Sequence, residues 1–458
     1  MNIQAILDRI PDSKRFLTGE EMDKSALALA KEFPEVCTAF IAGYSQENRP
    51  LYALKIGNGP KNAMILGCPH PNEPIGAMML EAFTRILCED EALRQELPFT
   101  FYVIKTWDAD GLRRNEGWFN PPYTLYQYAR NFYRPASTQQ VEWTFPLDYK
   151  TLHFNAPLPE TKAVMALIEQ VKPDLLFSLH NSAFGGAFWY VNEKSDALIE
   201  ALPAAAARQS IPLSLGEPEM PCCKTYAQAI FEFPGMPMMY DFYQETLKGQ
   251  DPAQMLRGGS SSIDFANEDG RRCLGIVCEM PYFMNPDVMD LTKTDITRGE
   301  AMEGSAKIVE AGMEKIAPLI KALTPLLPEK DAYRMALEER LSQLPMMLAS
   351  NRSFAQNDPS CKELATRAQR FDNLVALPFY YVAHTAGMIA KGAEGALKTA
   401  PAEDQAKLTA IVQQADALVR ADCERITSQA VCQPIEIKRL VSVQMETALL
   451  ALQSVQNG

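Results

Sequence analysis

The apolar positions of this chain follow two rhythms. In the first part, short apolar runs recur: "NAMILG" (62–67), "FTFYVIKTW" (99–107), "DLLFSLH" (174–180) and "CLGIVCEM" (273–280). Between them lie longer stretches with apolar residues at helical spacing, such as "IGAMMLEAFTRILC" (75–88) and "LPETKAVMALIEQVKP" (158–173). Runs that are apolar on both faces, interleaved with helices, predict an α/β fold: a mainly parallel, mixed sheet flanked by helices. Near Thr292 the rhythm changes. From there on the chain is rich in Ala, Leu, Glu and Lys, as in "EAMEGSAKIVEAGMEKIAPLIKAL" (300–323) and "EDQAKLTAIVQQADALVRADCERI" (403–426). Breaks at "TPLLPEK", "LASNRS", "APAED" and "CQPIE" divide it into about five helices. The expected organisation is an α/β domain over 1–291 and an all-α domain or cap over 292–458.

Composition narrows this picture. The chain has 458 residues, 47% of them hydrophobic, enough for a large core. Its formal net charge of −13 argues against a nucleic-acid partner, which needs a basic face. The first residues carry charges and no long apolar core, so no secretion signal is read, and no apolar stretch is long enough to span a membrane. Ten scattered cysteines, without a CxxC, read as reduced thiols, so the cytoplasm is the expected compartment.

The chemistry lies at the ends of the predicted strands, where open parallel sheets place their ligand sites. The chain has only four histidines. His70 follows the first buried run in the turn "GCPHPNEP" (67–74), three positions before Glu73. His180 closes "DLLFSLH", and Glu279 ends "CLGIVCE". His, Glu and His form a known catalytic zinc set with an open fourth position, and Glu279 is then the candidate general base. The histidines outside this pattern, His153 in a loop and His384 in a helix-like segment, read as structural.

Six ordered pieces resemble the zinc metallocarboxypeptidase family that includes carboxypeptidase A. "HPNEPIGA" resembles its HxxE motif, and "IAGYSQENRPLYALKIG" (41–57) its lead-in. "WDADGLRRNEG" (107–117) is similar to its "NPDG…R-x-N", and "ARNFYRP" (129–135) to "NRNFP". "FSLHNS" supplies the second histidine, and "GGSSSIDFANEDGRRCLGIVCEM" (258–280) runs into the glutamate. The likeness covers roughly residues 41–281 and identifies a divergent, bacterial-type member with a helical extension. It implies a hydrolase of a peptide or amide bond next to a terminal carboxylate-bearing residue. One Zn2+ per chain would be held by His70, Glu73 and His180, with Glu279 activating the metal-bound water. Arg130, beside Asn131, would anchor the substrate carboxylate; Arg113, or its neighbour Arg114, would steady the oxyanion. Ile263 would floor a pocket for an apolar or neutral leaving residue.

This sequence departs from the family at several positions. The Asn before the anchoring Arg is Ala129, the usual mobile Tyr is Leu256, and "NPDG" has become "DADG". These changes leave the zinc chemistry and unsettle the specificity. The arginine- and aromatic-rich segment 113–136 reads either as a loop packed on the sheet or as a substrate cradle. An amidase or deacylase of N-acyl amino acids, as in the aspartoacylase-like branch, and a non-catalytic binding protein are the competing functions. Three ligands and a base, all present, speak against the last. The partner expected is a small peptide or acyl-amino-acid substrate. The helical third is expected to dock on the α/β domain and to contribute to a homodimer or to the rim of the cleft.

Overall fold

The computed structural model describes residues 1–247 and 249–457. Its centre is a ten-stranded mixed sheet. The strands are β1 (Cys37–Tyr44), β2 (Pro50–Ile56), β3 (Lys61–Leu66), β4 (Phe99–Ile104), β5 (Leu175–Phe184), β6 (Phe188–Val191), β7 (Thr225–Ala227), β8 (Ile230–Glu232), β9 (Leu274–Met284) and β10 (Gln433–Pro434). They lie in the order β1-β2-β4-β3-β5-β9-β6-β8-β7, with β10 paired to β9. The four central strands, β4-β3-β5-β9, are mutually parallel, and antiparallel pairs flank them. The centre is parallel because its strands are buried on both faces: residues 63–66 of β3 and 175–181 of β5 are shielded throughout.

Helices close both faces. Of these, α1 (Gly19–Glu32), α2 (Ile75–Glu89), α3 (Pro159–Val171) and α4 (Asp196–Arg208) belong to the first part. Helix α2 buries twelve of its fifteen residues, far more than the single stripe of a surface helix. The reason lies at the far end of the sequence. Five long helices build the last third: α5 (Arg298–Leu323), α6 (Ala332–Asn357), α7 (Ala383–Leu397), α8 (Ala402–Thr427) and α9 (Ile437–Asn457). The last of them, α9, runs back and packs on α2, α4, β5 and β9.

The division expected at 291/292 is therefore not a division of the core. One hydrophobic cluster holds Leu87, Phe101 and Met280 from the sheet region together with Phe379, Leu440 and Leu449 from the helical third. Polar groups cross the same line. Trp189 Nε1 donates to Thr447 Oγ1 at 3.1 Å, and Gln444 Nε2 donates to the carbonyls of His180 (2.9 Å) and Cys278 (3.4 Å). No helix among the described residues is long and apolar enough to cross a membrane.

Leu449 is fully buried in that shared cluster. Leu449→Ala is expected to destabilise the whole chain by about 2–5 kcal/mol. Equilibrium denaturation monitored on the sheet tryptophans checks this; a change confined to the C-terminal helices would show that α9 is not part of the common core.

Candidate metal centre

The turn after β3 is made by close approach. Gly67 N donates to Ile104 O at 2.8 Å, and a Cβ on Gly67 would stand 2.5 Å from Lys105 O, so no larger residue fits. Cys68 adopts φ 52°, a left-handed conformation uncommon for a residue with a side chain. The chain then folds back, with Glu73 N donating to His70 O at 3.1 Å, before α2 begins. This brings the two side chains of the HxxE pair to the same point. Asn181 Oδ1 accepts from Ile75 N at 3.2 Å and pins the start of α2 to β5.

His180 comes from β5 itself, and in the parallel ladder Glu279 of β9 stands in register beside it. Register partners project to one side of a sheet. His70, Glu73, His180 and Glu279 are all buried, at 3–6% exposure.

Three donor atoms converge. His70 Nδ1 lies 3.0 Å from His180 Nδ1 and 3.2 Å from Glu73 Oε2, which lies 3.0 Å from His180 Nδ1. A tetrahedral zinc with bonds of about 2.0–2.2 Å sets its ligand atoms about 3.3–3.6 Å apart. The cluster thus fits a zinc ion to within a few tenths of an ångström, and its donor types are those zinc takes.

The surroundings prepare each donor. Burial, aided by the charge of Arg134, pushes His70 down to about 3, so its imidazole is neutral and can offer a lone pair. Burial opposes ionisation of Glu73, but His70, His180 and Arg134 outweigh it and hold the carboxyl well below its usual range. Arg134 Nη1 donates to Glu73 Oε1 at 2.8 Å and to Asn72 Oδ1 at 3.2 Å, which leaves Oε2 facing the histidines.

His180 is oriented from behind. Ser178 Oγ donates to Glu142 Oε2 at 3.0 Å and stands 3.0 Å from His180 Nε2. With its proton given to Glu142, the hydroxyl accepts from Nε2–H, so the lone pair of His180 sits on Nδ1, toward the cluster. Glu142 is held by Ser262, through N (2.8 Å) and Oγ (2.6 Å). Nothing in the sequence marks Glu142 except a charge inside the aromatic stretch "VEWTF".

Glu279 Oε1 lies 3.8 Å from His180 Nδ1, and its Oε2 is buried with no hydrogen-bond partner among the described residues. Burial raises its carboxyl well above the usual range; Glu219 and Glu73 push the same way, and Arg134 opposes. Glu219, which Tyr190 Oη reaches at 3.5 Å, is exposed as a residue, so solvent screens part of its effect.

The arginines are distributed differently from the expectation. Arg130 Nε donates to Asp416 Oδ1 at 3.0 Å, and its Nη2 pairs with Glu394, both carboxylates belonging to the helical third. Asn131 spends its amide on Gln127 O. Arg113 is exposed on the outer side of its helix, near Glu20, Asp23 and Glu116. Arg114 is bound to Glu47 and Asp110 O and lies over the Tyr133 ring. None of these four bonds to the cluster; the guanidinium that does is Arg134. Ile263, expected at a pocket floor, is buried. It is 2% exposed and packs in the core against the strand at Gly275. His153 lies in a short strand rather than a loop and bonds to Asp148, while His384 is buried in α7.

Residues 22–203 match the sequence model of a family described as zinc carboxypeptidase. The match contains His70, Glu73 and His180, whereas Glu279 lies beyond it. No curated protein matches the chain. Among solved structures, bovine thrombin-activatable fibrinolysis inhibitor is 14% identical, covering 58% of this chain and 86% of that one, with a TM-score of 0.32. Carboxypeptidase A from Helicoverpa armigera is 14% identical, covering 59% and 66%, with a TM-score of 0.36. A murein-tripeptide amidase from Escherichia coli O157 is 17% identical, covering 56% and 86%, with a TM-score of 0.28.

Glu142→Ala is expected to weaken zinc binding about 10–100-fold, because His180 loses the chain of bonds that fixes its tautomer and orientation. Competition with a chromophoric chelator measures this. Unchanged affinity would mean that Glu142 serves only the packing of Ser262.

Proposed function

We propose that this chain, a divergent member of the zinc carboxypeptidase family, cleaves a peptide or amide bond beside a residue with a free carboxylate, Glu279 acting as the base. The observation that carries the reading is the in-register pair His180 and Glu279. It sets an unpartnered carboxylate oxygen against the cluster of three donors. His70, Glu73 and His180 would hold the zinc, which when bound supplies a Lewis acid that acidifies water and polarises a carbonyl.

The remaining steps belong to the protein's own groups. Glu279 accepts the proton of the attacking water at its free oxygen and can return it to the leaving nitrogen. Arg134, held at Glu73 with its Nε buried and unpartnered, is the cation placed to offset negative charge growing on the carbonyl oxygen. Burial raises the carboxyl of Glu279 and so makes it a stronger proton acceptor, which suits a general base.

Glu279→Gln keeps the shape and removes the proton acceptor. Zinc content should stay near one ion per chain while kcat falls about 10²–10⁴-fold. Metal analysis with steady-state kinetics on small peptides decides this; near-normal turnover would place the base elsewhere.

The pH dependence has a defined sign. Glu279 works ionised, so kcat/KM falls as pH drops through its raised pKa. Glu219→Gln removes a neighbouring negative charge, making ionisation of Glu279 easier. The acid limb should therefore move to lower pH, by up to about one unit. A shift to higher pH would show that another group governs that limb.

A further inference from the structure

The anchor implied by the family resemblance, Arg130, is not free to take a substrate. Asp416 and Glu394 occupy its guanidinium, and Asp416 is fixed in turn by Tyr126 Oη (2.6 Å) and Arg420 (2.9 Å). The backbone beside it is also committed. A Cβ on Gly387 of α7 would stand 1.9 Å from Ala129 O, so the two segments are in direct contact. An incoming carboxylate would have to displace charge-assisted bonds that already satisfy Arg130.

A different guanidinium reaches the region from α6. This helix is tied to two segments, one that carries Arg134 and one that runs on to Ser262. On one side Glu339 accepts from Ser137 N (2.6 Å) and Oγ (2.7 Å), three residues beyond Arg134. On the other side Gln343 Nε2 donates to Met255 O at 2.9 Å, in the segment that leads to Ser262 and Glu142. Arg340 lies between these two ties and, at i to i+3, shares a helix face with Gln343. Its guanidinium stacks 4.6 Å from the Tyr380 ring and 5.9 Å from the Phe132 ring, and Phe132 is two residues before Arg134. Nη1 is held by Tyr380 O and Thr385 Oγ1, both at 3.0 Å, which fixes the plane of the group. No ion pair neutralises Arg340 among the described residues, although acidic side chains outnumber basic ones in this chain.

We infer that Arg340, which the helical third sets against Phe132 two residues before Arg134, is the residue that recognises the free carboxylate of the substrate. The inference rests on the hydrolase reading above and names its specificity group. A planar guanidinium held on one edge presents its remaining N–H groups in a fixed direction, which suits a bidentate carboxylate. The aromatic rings beneath it keep water from competing on that side.

The test uses the full zinc-loaded chain, N-acetyl dipeptides with a free C-terminus, and the variants Arg340→Gln, Arg340→Lys and Arg130→Ala. Arg340→Gln should raise KM about tenfold or more, with kcat changed by less than about threefold. Arg340→Lys should fall between it and the unsubstituted chain. Zinc content and melting temperature report whether each variant is folded; if Arg340→Gln is not, the KM of Arg340→Lys decides. An unchanged KM in a folded Arg340 variant overturns the inference, as does a KM increase carried by Arg130→Ala and absent in Arg340→Gln. If the unsubstituted chain hydrolyses none of these peptides, the hydrolase reading fails on its own. Calorimetry of a dipeptide against its C-terminal amide then still tests Arg340. A preference for the acid that disappears in Arg340→Gln supports the inference, and a preference that persists, or none in the unsubstituted chain, overturns it.

Discussion

A carboxylate buried beside two histidines is the constraint from which the rest of the architecture follows. Glu73 is 3% exposed, and a charge so placed needs compensation within reach. Part of it comes from Arg134, bonded to Oε1, and the rest falls to the cation that the donor set fits. Holding Arg134 there requires the segment before it to fold over the cluster, and that segment is rich in large rings. Phe132 stacks on His384 of α7 at 3.9 Å, and the ring of Tyr128, whose Oη accepts from Asn72, lies edge-on to the same histidine. The demand for charge at Glu73 is thereby transmitted, ring by ring, to the helical third. That third could not be a loosely tethered module without leaving the rings exposed and Arg134 unsupported.

The same logic explains what could be read from the sequence and what could not. His70, Glu73, His180 and Glu279 were legible because each closes or follows an apolar run, and parallel strands carry such residues to one place. The parallel centre of the sheet was legible for the same reason. The partners of the arginines were not. Arg130 sits in the motif-like "ARNF", but its partners Asp416 and Glu394 are 286 and 264 positions away, and no local pattern encodes a pairing at that distance. Glu142 was hidden because one acidic residue in an aromatic stretch looks like surface, whereas it is buried beneath Ser178 and Ser262.

The boundary near residue 292 was legible as a change of rhythm yet says little about the core. Periodicity reports that a helix has an apolar face, not what covers it. Helix α2 carried the relevant hint: apolar nearly all round, it needs a second neighbour besides the sheet. That neighbour, α9, is separated from it by most of the chain, and only the folded chain shows that Gln444 reaches the carbonyl of the metal-ligating His180.

These contacts also limit what can approach the cluster. Helix α6 is hydrogen-bonded to Ser137 on one side and to Met255 on the other, while Asp416 and Glu394 close off Arg130. A polypeptide that came between α6 and Ser137 or Met255 would have to break these ties, each a bond to a charged or amide group that would then lack its partner. In the proposed reading the helical third acts on specificity by subtraction as well as by addition. It pairs the guanidinium that the family resemblance implies as the anchor with Glu394 and Asp416, and it leaves His70, Glu73 and His180 converging on one point.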